Sequence, residues 1–539
     1  MIGERSPVGL LTPHASGYVG AAVVALWLVY ASWSRIKGGR RYPPGPKRLP
    51  FLGNIHQLPA HYQHVTFKEW GAQYGDVVYA RFFSTPVLVL NSVDACRALL
   101  DKKGAKYSGR PSFTFHNEMY VAARRHYGAD GLTRRDSIEW RNLVLMQYTE
   151  QWRRHRRWYR AAFESKAVVD SYRPLQTAEA HKLLSDLLQT PDGFMLHVKK
   201  YAVAIIMGLG YGISISSMDD EFIQHVDHAV ESVFQSGGPA AMLIDFFPVL
   251  KYLPAWMPGA GFKRLARQVQ GSIRDMEYIP LRRADGTLKP SIASSILEET
   301  MKDGKLGVAD EREIASALGA LYAAGTDTTA TTLQCFVLAM VLHPEIQRKA
   351  QAELDRVVGD ARLPDMGDRD ALPYLDAIIM EVYRWCAPVP LGVPHQLLED
   401  DEHMGYTMPR GSTVFSNIWA MTRDEQHYPE PERFDPARFL DTPAESDFSD
   451  PRRYVFGFGR RICPGRFLAD ASIWLAAAQI LATLDIRKAR TPAGAEITPE
   501  VQFASGSVSH PKPFACDIRP RSKRSGERVR AALRADRSS

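Results

Sequence analysis

The chain has 539 residues, 45% hydrophobic, 24% charged and 10% aromatic, with a formal charge of +7 and a pI near 9.0. That composition supplies a large core and excludes a disordered tail protein, a collagen and a disulfide scaffold. The basic balance invites nucleic acid, but residues 1–46 carry +4 and 519–539 carry +6, leaving 47–518 at −3. The charge belongs to the two ends, so no nucleic-acid partner is expected.

Residues 1–16 read as a short lumenal N-terminus, and 17–33 (GYVGAAVVALWLVYASW) carry no charge. At 1.5 Å per residue that run spans roughly 26 Å, enough for a thin bilayer. The basic cluster Arg35, Lys37, Arg40, Arg41 follows the run, whereas a cleaved signal peptide would carry it in front. By the positive-inside rule this predicts an uncleaved transmembrane signal anchor in the endoplasmic reticulum membrane, with the body cytosolic. Residues 34–46 form a basic stop-transfer segment and a stiff hinge at Pro43-Pro44-Gly45-Pro46.

The body, 47–518, has no internal repeat and no Gly/Ser linker. Its pattern is mostly helical, with strand signals near 77–80, 86–90 and the C-terminus. Helical periodicity is clearest over 311–342, which is apolar almost all round and so predicts a buried central helix, over 343–359, opened by Pro344, and over 465–484. The apolar stretch 241–260, broken by Pro248, Pro254 and Pro258, is either a core loop or a surface that dips into a membrane. Five cysteines, Cys96, Cys335, Cys386, Cys463 and Cys516, lie far apart without a C-x-x-C, which predicts a reducing compartment and any special cysteine acting alone.

Cys463 stands in Phe456-Gly457-Phe458-Gly459-Arg460-Arg461-Ile462-Cys463-Pro464-Gly465. The glycines let backbone run close to something flat and bulky, and Pro464 can start the next helix. A cysteine at a helix N-terminus gains from the dipole and from free N–H groups, which favour a thiolate. The run matches F-x-x-G-x-R-x-C-x-G and resembles the haem-ligand loop of the cytochrome P-450 superfamily. The resemblance implies a mainly α fold with small β-sheets, haem b bound through the Cys463 thiolate to its iron, Arg461 paired with a haem propionate, and Phe456 packed near the sulfur.

Four further motifs extend the likeness. Glu381-Val382-Tyr383-Arg384 is one E-x-x-R among several, since Glu150/Arg153, Glu345/Arg348 and Glu353/Arg356 share the spacing, but it alone precedes both Pro431-Glu432-Arg433-Phe434 and the cysteine loop at the family's positions. The resemblance makes Glu381, Arg384 and Arg433 a buried structural triad. Ala324-Gly325-Thr326-Asp327-Thr328-Thr329 places an acid and hydroxyls inside the apolar helix. By resemblance Gly325 leaves room for dioxygen, Thr328 hydrogen-bonds it and Asp327 relays protons. Trp152 and Arg156, in a W-x-x-x-R, would meet the propionates, and His395 after Pro394 stands where the family often places a propionate contact. Arg153, Arg154, Arg157 and Arg160 are either a solvated basic face or the dock for an acidic reductase.

The chain is thereby read as a single haem-thiolate monooxygenase domain behind a transmembrane helix. No G-x-G-x-x-G after a strand and no fused flavin domain is seen, so electrons are expected from a separate NADPH-cytochrome P-450 reductase, with cytochrome b5 as a second candidate donor. Apolar walls at Ala320, Ala324, Val389, Leu391, Val393 and Phe503 suggest a small lipophilic substrate. The ending Ser509-His510-Pro511-Lys512-Pro513-Phe514 is similar to fungal secondary-metabolism members such as the O-methylsterigmatocystin oxidoreductase group, which points to a terpenoid first and a polyketide second. An isomerase or dehydratase on the same fold would not need Asp327 and Thr328, and a membrane haem electron-transfer protein would carry two axial protein ligands. Substrate contacts in the long 107–152 segment cannot be carried over, and the basic tail 519–539 is expected to stay flexible.

Overall fold

A computed structural model describes residues 41–112, 114, 142–220, 223–224, 226–227, 243–284, 290–301, 306–440, 446 and 448–538. The anchor expected at 17–33 and the charged segment 124–141 lie outside these residues. The principal helices are α1 (Gln63–Tyr74), α2 (Glu150–Phe163), α3 (Arg173–Gln189), α4 (Phe194–Tyr211), α5 (Gly261–Ala284), α6 (Val308–Leu342), α7 (Pro344–Val357), α8 (Pro373–Cys386), α9 (Arg466–Thr483) and α10 (Lys523–Ser538). Strands β1 (Val77–Phe82), β2 (Thr85–Leu90), β3 (His395–Gln396) and β6 (Thr413–Ser416) form a sheet in the order β1-β2-β6-β3, β2 and β6 being parallel. A hairpin joins β4 (Asp401–His403) to β5 (Tyr406–Met408), and β7 (Leu484–Arg490) pairs with β8 (Glu496–Ile497) and β9 (Cys516–Pro520).

The periodicity predicted the central elements. Helix α6 runs 35 residues, about 52 Å at 1.5 Å per residue, and is buried along nearly its whole length from Glu313 onward. Asp310 and Glu311 occupy its first turn, where acids complement the dipole. Proline stands in the first turn of α7 and of α8, and α8 ends at Ala387 in a left-handed conformation just before Pro388. Helix α4 packs along α6, and among the described residues only Pro191–Tyr211 is long and apolar enough to cross a membrane. It is a core element instead: Val198, Val203 and Met207 are fully buried.

Cys463 is free, while Cys335 of α6 and Cys386 of α8 face each other, with Cα atoms 6.3 Å apart, because the two helices lie side by side despite 51 residues between the cysteines. Two expectations are corrected here. The tail is not loose: Lys523–Ser538 is helical and rests on α3. Ser525 and Val529, both buried, and Leu533, packed on the core, recur every four residues and so share one face. Arg521 grips Asp355 with two bonds of 2.7 and 2.9 Å, Arg528 donates to the carbonyls of Gly359, Arg362 and Ala482, and Asp536 contacts His181 at 2.8 Å. Much of the tail's positive charge is therefore spent on carboxylates and carbonyls around the end of α7, where a helix dipole is negative.

The second correction concerns the triad. Glu381 and Arg384 form a fully buried two-bond pair at 2.6 and 2.7 Å. The second guanidinium on Glu381 is that of Arg438, at 3.3 Å, on the 3-10 turn Pro436–Phe439 that packs on α8. Arg433 contributes only its carbonyl, which accepts from Arg384; its side chain is 65% exposed and pairs with Glu430, against 13% for Arg438. The segment Pro431-Glu432-Arg433-Phe434 turns the Arg433 side chain outward, and the second arginine, four residues past Phe434, comes in.

Two outcomes are expected from chemical unfolding. Glu381→Ala strands two buried cations and should cost about 3–5 kcal/mol, with Arg438→Ala also destabilising, whereas Arg433→Ala should stay within about 0.5 kcal/mol of the parent. Val529→Asp, which drives a charge under α10, should cost about 3 kcal/mol and lower the urea midpoint; an unchanged midpoint would mean that the helix does not hold to the body.

Candidate functional site

The cysteine loop is closed by its own backbone and by a neighbouring segment. Cys463 N–H donates to the Phe456 carbonyl at 2.9 Å, and the Phe456 ring stands edge-on to Tyr383 at 5.4 Å between centroids. Gly457 and Gly459 have φ of 83° and 57°. A Cβ on Gly459 would fall 2.0 Å from the Leu100 carbonyl oxygen, so only glycine fits, and its N–H donates to Asp101 at 2.5 Å. Beyond the cysteine, Pro464 and Gly465 lead into α9, as the proline predicted.

Cys463 opens onto a cavity of about 390 Å³. On the side facing the sulfur are Gly325 and Thr328 of α6, and Phe456, Arg461, Trp152, Arg156 and His395 also line it. The remaining walls are apolar, with Ile205 and Ile206 of α4, Ala320 and Ala324 of α6, Val389 and Val393 after α8, and Val508 near the C-terminus. Two expected wall residues are elsewhere. Leu391 packs with the Phe67 and Phe415 cluster, and Phe503 stands edge-on to Trp385, so that Ser507 and Val508 of the same loop take its place.

The helix α6 divides its polar residues by direction. Thr328 faces the cavity, its hydroxyl donating to the Ala324 carbonyl at 2.9 Å, and the hydroxyls of Thr326 and Thr332 bond back to Tyr322 and Thr328 in the same way. Such back-bonding competes with the helix ladder and loosens it beside the cavity. Asp327, one residue away, is not among the lining residues; it faces His510 of the C-terminal loop at 3.4 Å. The missing side chain of Gly325 leaves room for Ile206, whose Cδ1 would be 2.6 Å from a Cβ, so this glycine first serves the close approach of α4 to α6.

The cavity's electrostatics point to an anionic guest. Arg461 lies over the Trp152 ring at 4.6 Å and donates to the carbonyls of Ser108, Leu143 and Met146; burial, and then the neighbouring Arg156, push its pKa down to about 9. Arg156 donates to the Ile462 carbonyl at 2.7 Å, reaches Glu164 only at 3.5 Å, and leaves its buried Nε without a hydrogen bond. A third guanidinium, Arg110, is 4% exposed, donates only to the carbonyls of Val144, Val393 and Pro394, and is held well below the usual arginine range by burial and by Arg461. His395 donates to or accepts from no acid: its Nδ1 faces the Tyr107 carbonyl at 2.8 Å, so it carries a proton there, and burial with Arg110 holds the ring neutral.

No acidic side chain is among the described residues lining the cavity. Three guanidiniums, two buried and that of Arg461 half-buried, with backbone partners and no carboxylate inside the cavity are costly, and their forks match carboxylates. A flat, apolar dicarboxylate supplies what they lack, and the residues present fit haem. Burial pushes the Cys463 thiol up, while the Gly465 N–H, Arg156 and Arg466 pull it back; the accessible surface it retains faces the cavity, where a metal would complete its coordination. Arg110 was not foreseen in the sequence. It is an ordinary arginine before a proline, in a segment whose contacts no motif assigns.

Comparison with known proteins agrees with this geometry. The family description "Cytochrome P450" matches residues 43–515. The chain is similar to cytochrome P450 monooxygenase 176 of Postia placenta, 45% identical over 94% of this chain and 96% of the relative. It is also similar to cytochrome P450 monooxygenase claR of Ampulloclitocybe clavipes, at 36% over 97% and 94%, and to tryptamine 4-monooxygenase of Psilocybe cyanescens, at 35% over 93% and 97%. A haem-ligand motif, a cavity short of anions over its cysteine and alignment from end to end with fungal monooxygenases converge: the chain belongs to the cytochrome P450 family and is a monooxygenase.

Proposed function

We propose that this monooxygenase hydroxylates, or further oxidises, a neutral lipophilic fungal secondary metabolite, a terpenoid before a polyketide, using electrons passed from NADPH by a separate reductase. The cavity carries the reading: its walls are apolar and no acid lines it among the described residues, so a protonated amine meets no counter-charge while a neutral hydrocarbon skeleton loses nothing on entry. The name of the Psilocybe relative describes an amine substrate for that protein; the apolar walls found here, with no acid among the described lining residues, favour a different class.

Cys463 would hold haem through its thiolate and Arg156, Arg461 and Arg110 would pair with its carboxylates, and the group would supply dioxygen binding and activation. The chain's own residues do the rest. The apolar walls exclude water and orient the substrate, Thr328 offers a hydroxyl that can leave the Ala324 carbonyl to donate into the cavity, and Asp327 holds a proton behind it. Reductase docking falls to the side of the cysteine loop, where Arg157 and Arg460 are exposed while Arg153 and Arg154 are paired with Glu150 and Asp310.

The membrane assignment rests on 17–33 and on an apolar surface of the body. Phe51, Val249, Tyr252 and Trp256 are 69 to 79% exposed, and the Phe83 ring joins the two segments by stacking on Phe246 and Phe247 while its N–H donates to Leu52. Of the two readings of 241–260, this favours the one that dips into the endoplasmic reticulum membrane.

Microsomes containing the protein and a fungal reductase, offered a terpenoid extract, should give products heavier by one oxygen atom only when NADPH and reductase are both present. Thr328→Ala should lower product per NADPH about tenfold and release hydrogen peroxide, with Thr328→Ser recovering most of the loss. Product formation without reductase, or Thr328→Ala coupled like the parent, contradicts the reading.

A further inference from the structure

His510 stands against the carboxylate of α6 and has no part in the roles above. Its Nδ1 lies 2.7 Å from the Thr331 hydroxyl and its Nε2 3.4 Å from Asp327 Oδ2. Asp327 and Thr331 are four residues apart on one face of α6, so the ring spans both. The C-terminal hairpin fixes it there. Ala504 N–H donates to the His510 carbonyl at 2.7 Å, Phe503 pairs with Pro511, and Ser509 N–H donates to the Pro388 carbonyl at 2.9 Å. Thr331 is fully buried, the Asp327 side chain is 16% exposed and the His510 side chain 35%. One ring thus reaches from solvent to the acid behind Thr328.

We propose that His510 is a positioning residue for oxygen activation, carrying protons from solvent to the Asp327 carboxylate. This rests on the reading of Asp327 and Thr328 given above. In the transfer the Nε2–H bond of the imidazolium breaks and an O–H bond forms on Asp327 Oδ2. The ring left neutral keeps its Nδ1–H, donated to Thr331 Oγ1, so the inner contact is the same before and after. Water reprotonates Nε2 once Asp327 has passed its proton inward. The 3.4 Å separation needs only a small rotation to close, as catalytic contacts often do when the site is filled. Because Ser507 and Val508 of the same hairpin line the cavity, the relay is in place only when that wall is formed.

His510→Gln tests this, because an amide can hydrogen-bond Thr331 and Asp327 but cannot hand on a proton. In NADPH-driven oxygen uptake with reductase, His510→Gln should slow uptake about tenfold and enlarge the ratio of rates in H₂O and D₂O. A double-mutant cycle of His510→Gln with Asp327→Asn, read by urea unfolding, should be non-additive, as for residues in contact. Wild-type uptake and isotope ratio in His510→Gln, with both altered in Asp327→Asn, overturns the relay while leaving the site reading intact; both variants behaving as the parent overturns the site reading as well. An additive cycle also overturns the relay. Should His510→Gln fail to fold, Thr331→Val, which removes the ring's inner anchor, should enlarge the isotope ratio in the same direction, and an unchanged ratio overturns the proposal.

Discussion

Three guanidiniums, two of them buried and that of Arg461 half-buried, share a cavity with the half-buried Cys463 thiol and with no acid in its described walls, and the scaffold is arranged around this imbalance. Burying a cation without a counter-ion is among the costliest things a fold can do, and Arg110, Arg156 and Arg461 are held by carbonyl dipoles that offset only part of it. Their pKa values are all pulled below the usual range by burial. The thiol is displaced the opposite way for the same reason. A haem dicarboxylate with an electron-poor iron would relieve all four at once.

The scaffold keeps that arrangement from relaxing. The cysteine loop is pinned through Gly459 to Leu100 and Asp101, and the Phe456 ring meets Tyr383 of α8 edge-on. On either side of Tyr383, the Glu381–Arg384 pair ties the helix to the Pro431–Phe439 segment through Arg438 and the Arg433 carbonyl. Opposite, α6 brings Thr328 over the cavity and turns Asp327 to the hairpin at His510. The acid and the hydroxyl are neighbours in sequence but face different surroundings, so one is turned to the partly exposed His510 while the other lines the cavity.

Much of this was legible in the residues. The cysteine motif located the loop, the apolar run over 311–342 located α6 within three residues of its start, and Pro344 marked the first turn of α7. What was not legible shares a cause: a motif reports order along the chain, whereas side-chain direction is set by packing. Arg433 and Arg438 both follow Glu381 at a plausible distance, and only the turn on α8 decides which one enters. The tail read as loose because Arg, Ser and Ala dominate it; a single buried face at 525, 529 and 533 and acceptors at the end of α7 were enough to order it. Cys335 and Cys386 are distant in sequence and adjacent in space, and Arg110 carries no local signal.

The most direct measurement of the central claim is the absorption spectrum of the reduced, carbon-monoxide-bound protein, taken with Cys463→His alongside. A thiolate opposite the gas shifts the Soret band far to the red, and the account predicts that band in the parent and its replacement by an imidazole-type spectrum in the variant. A parent without the red-shifted band, or a variant that keeps it, would contradict the assignment of Cys463 and with it the chemistry built around the cavity.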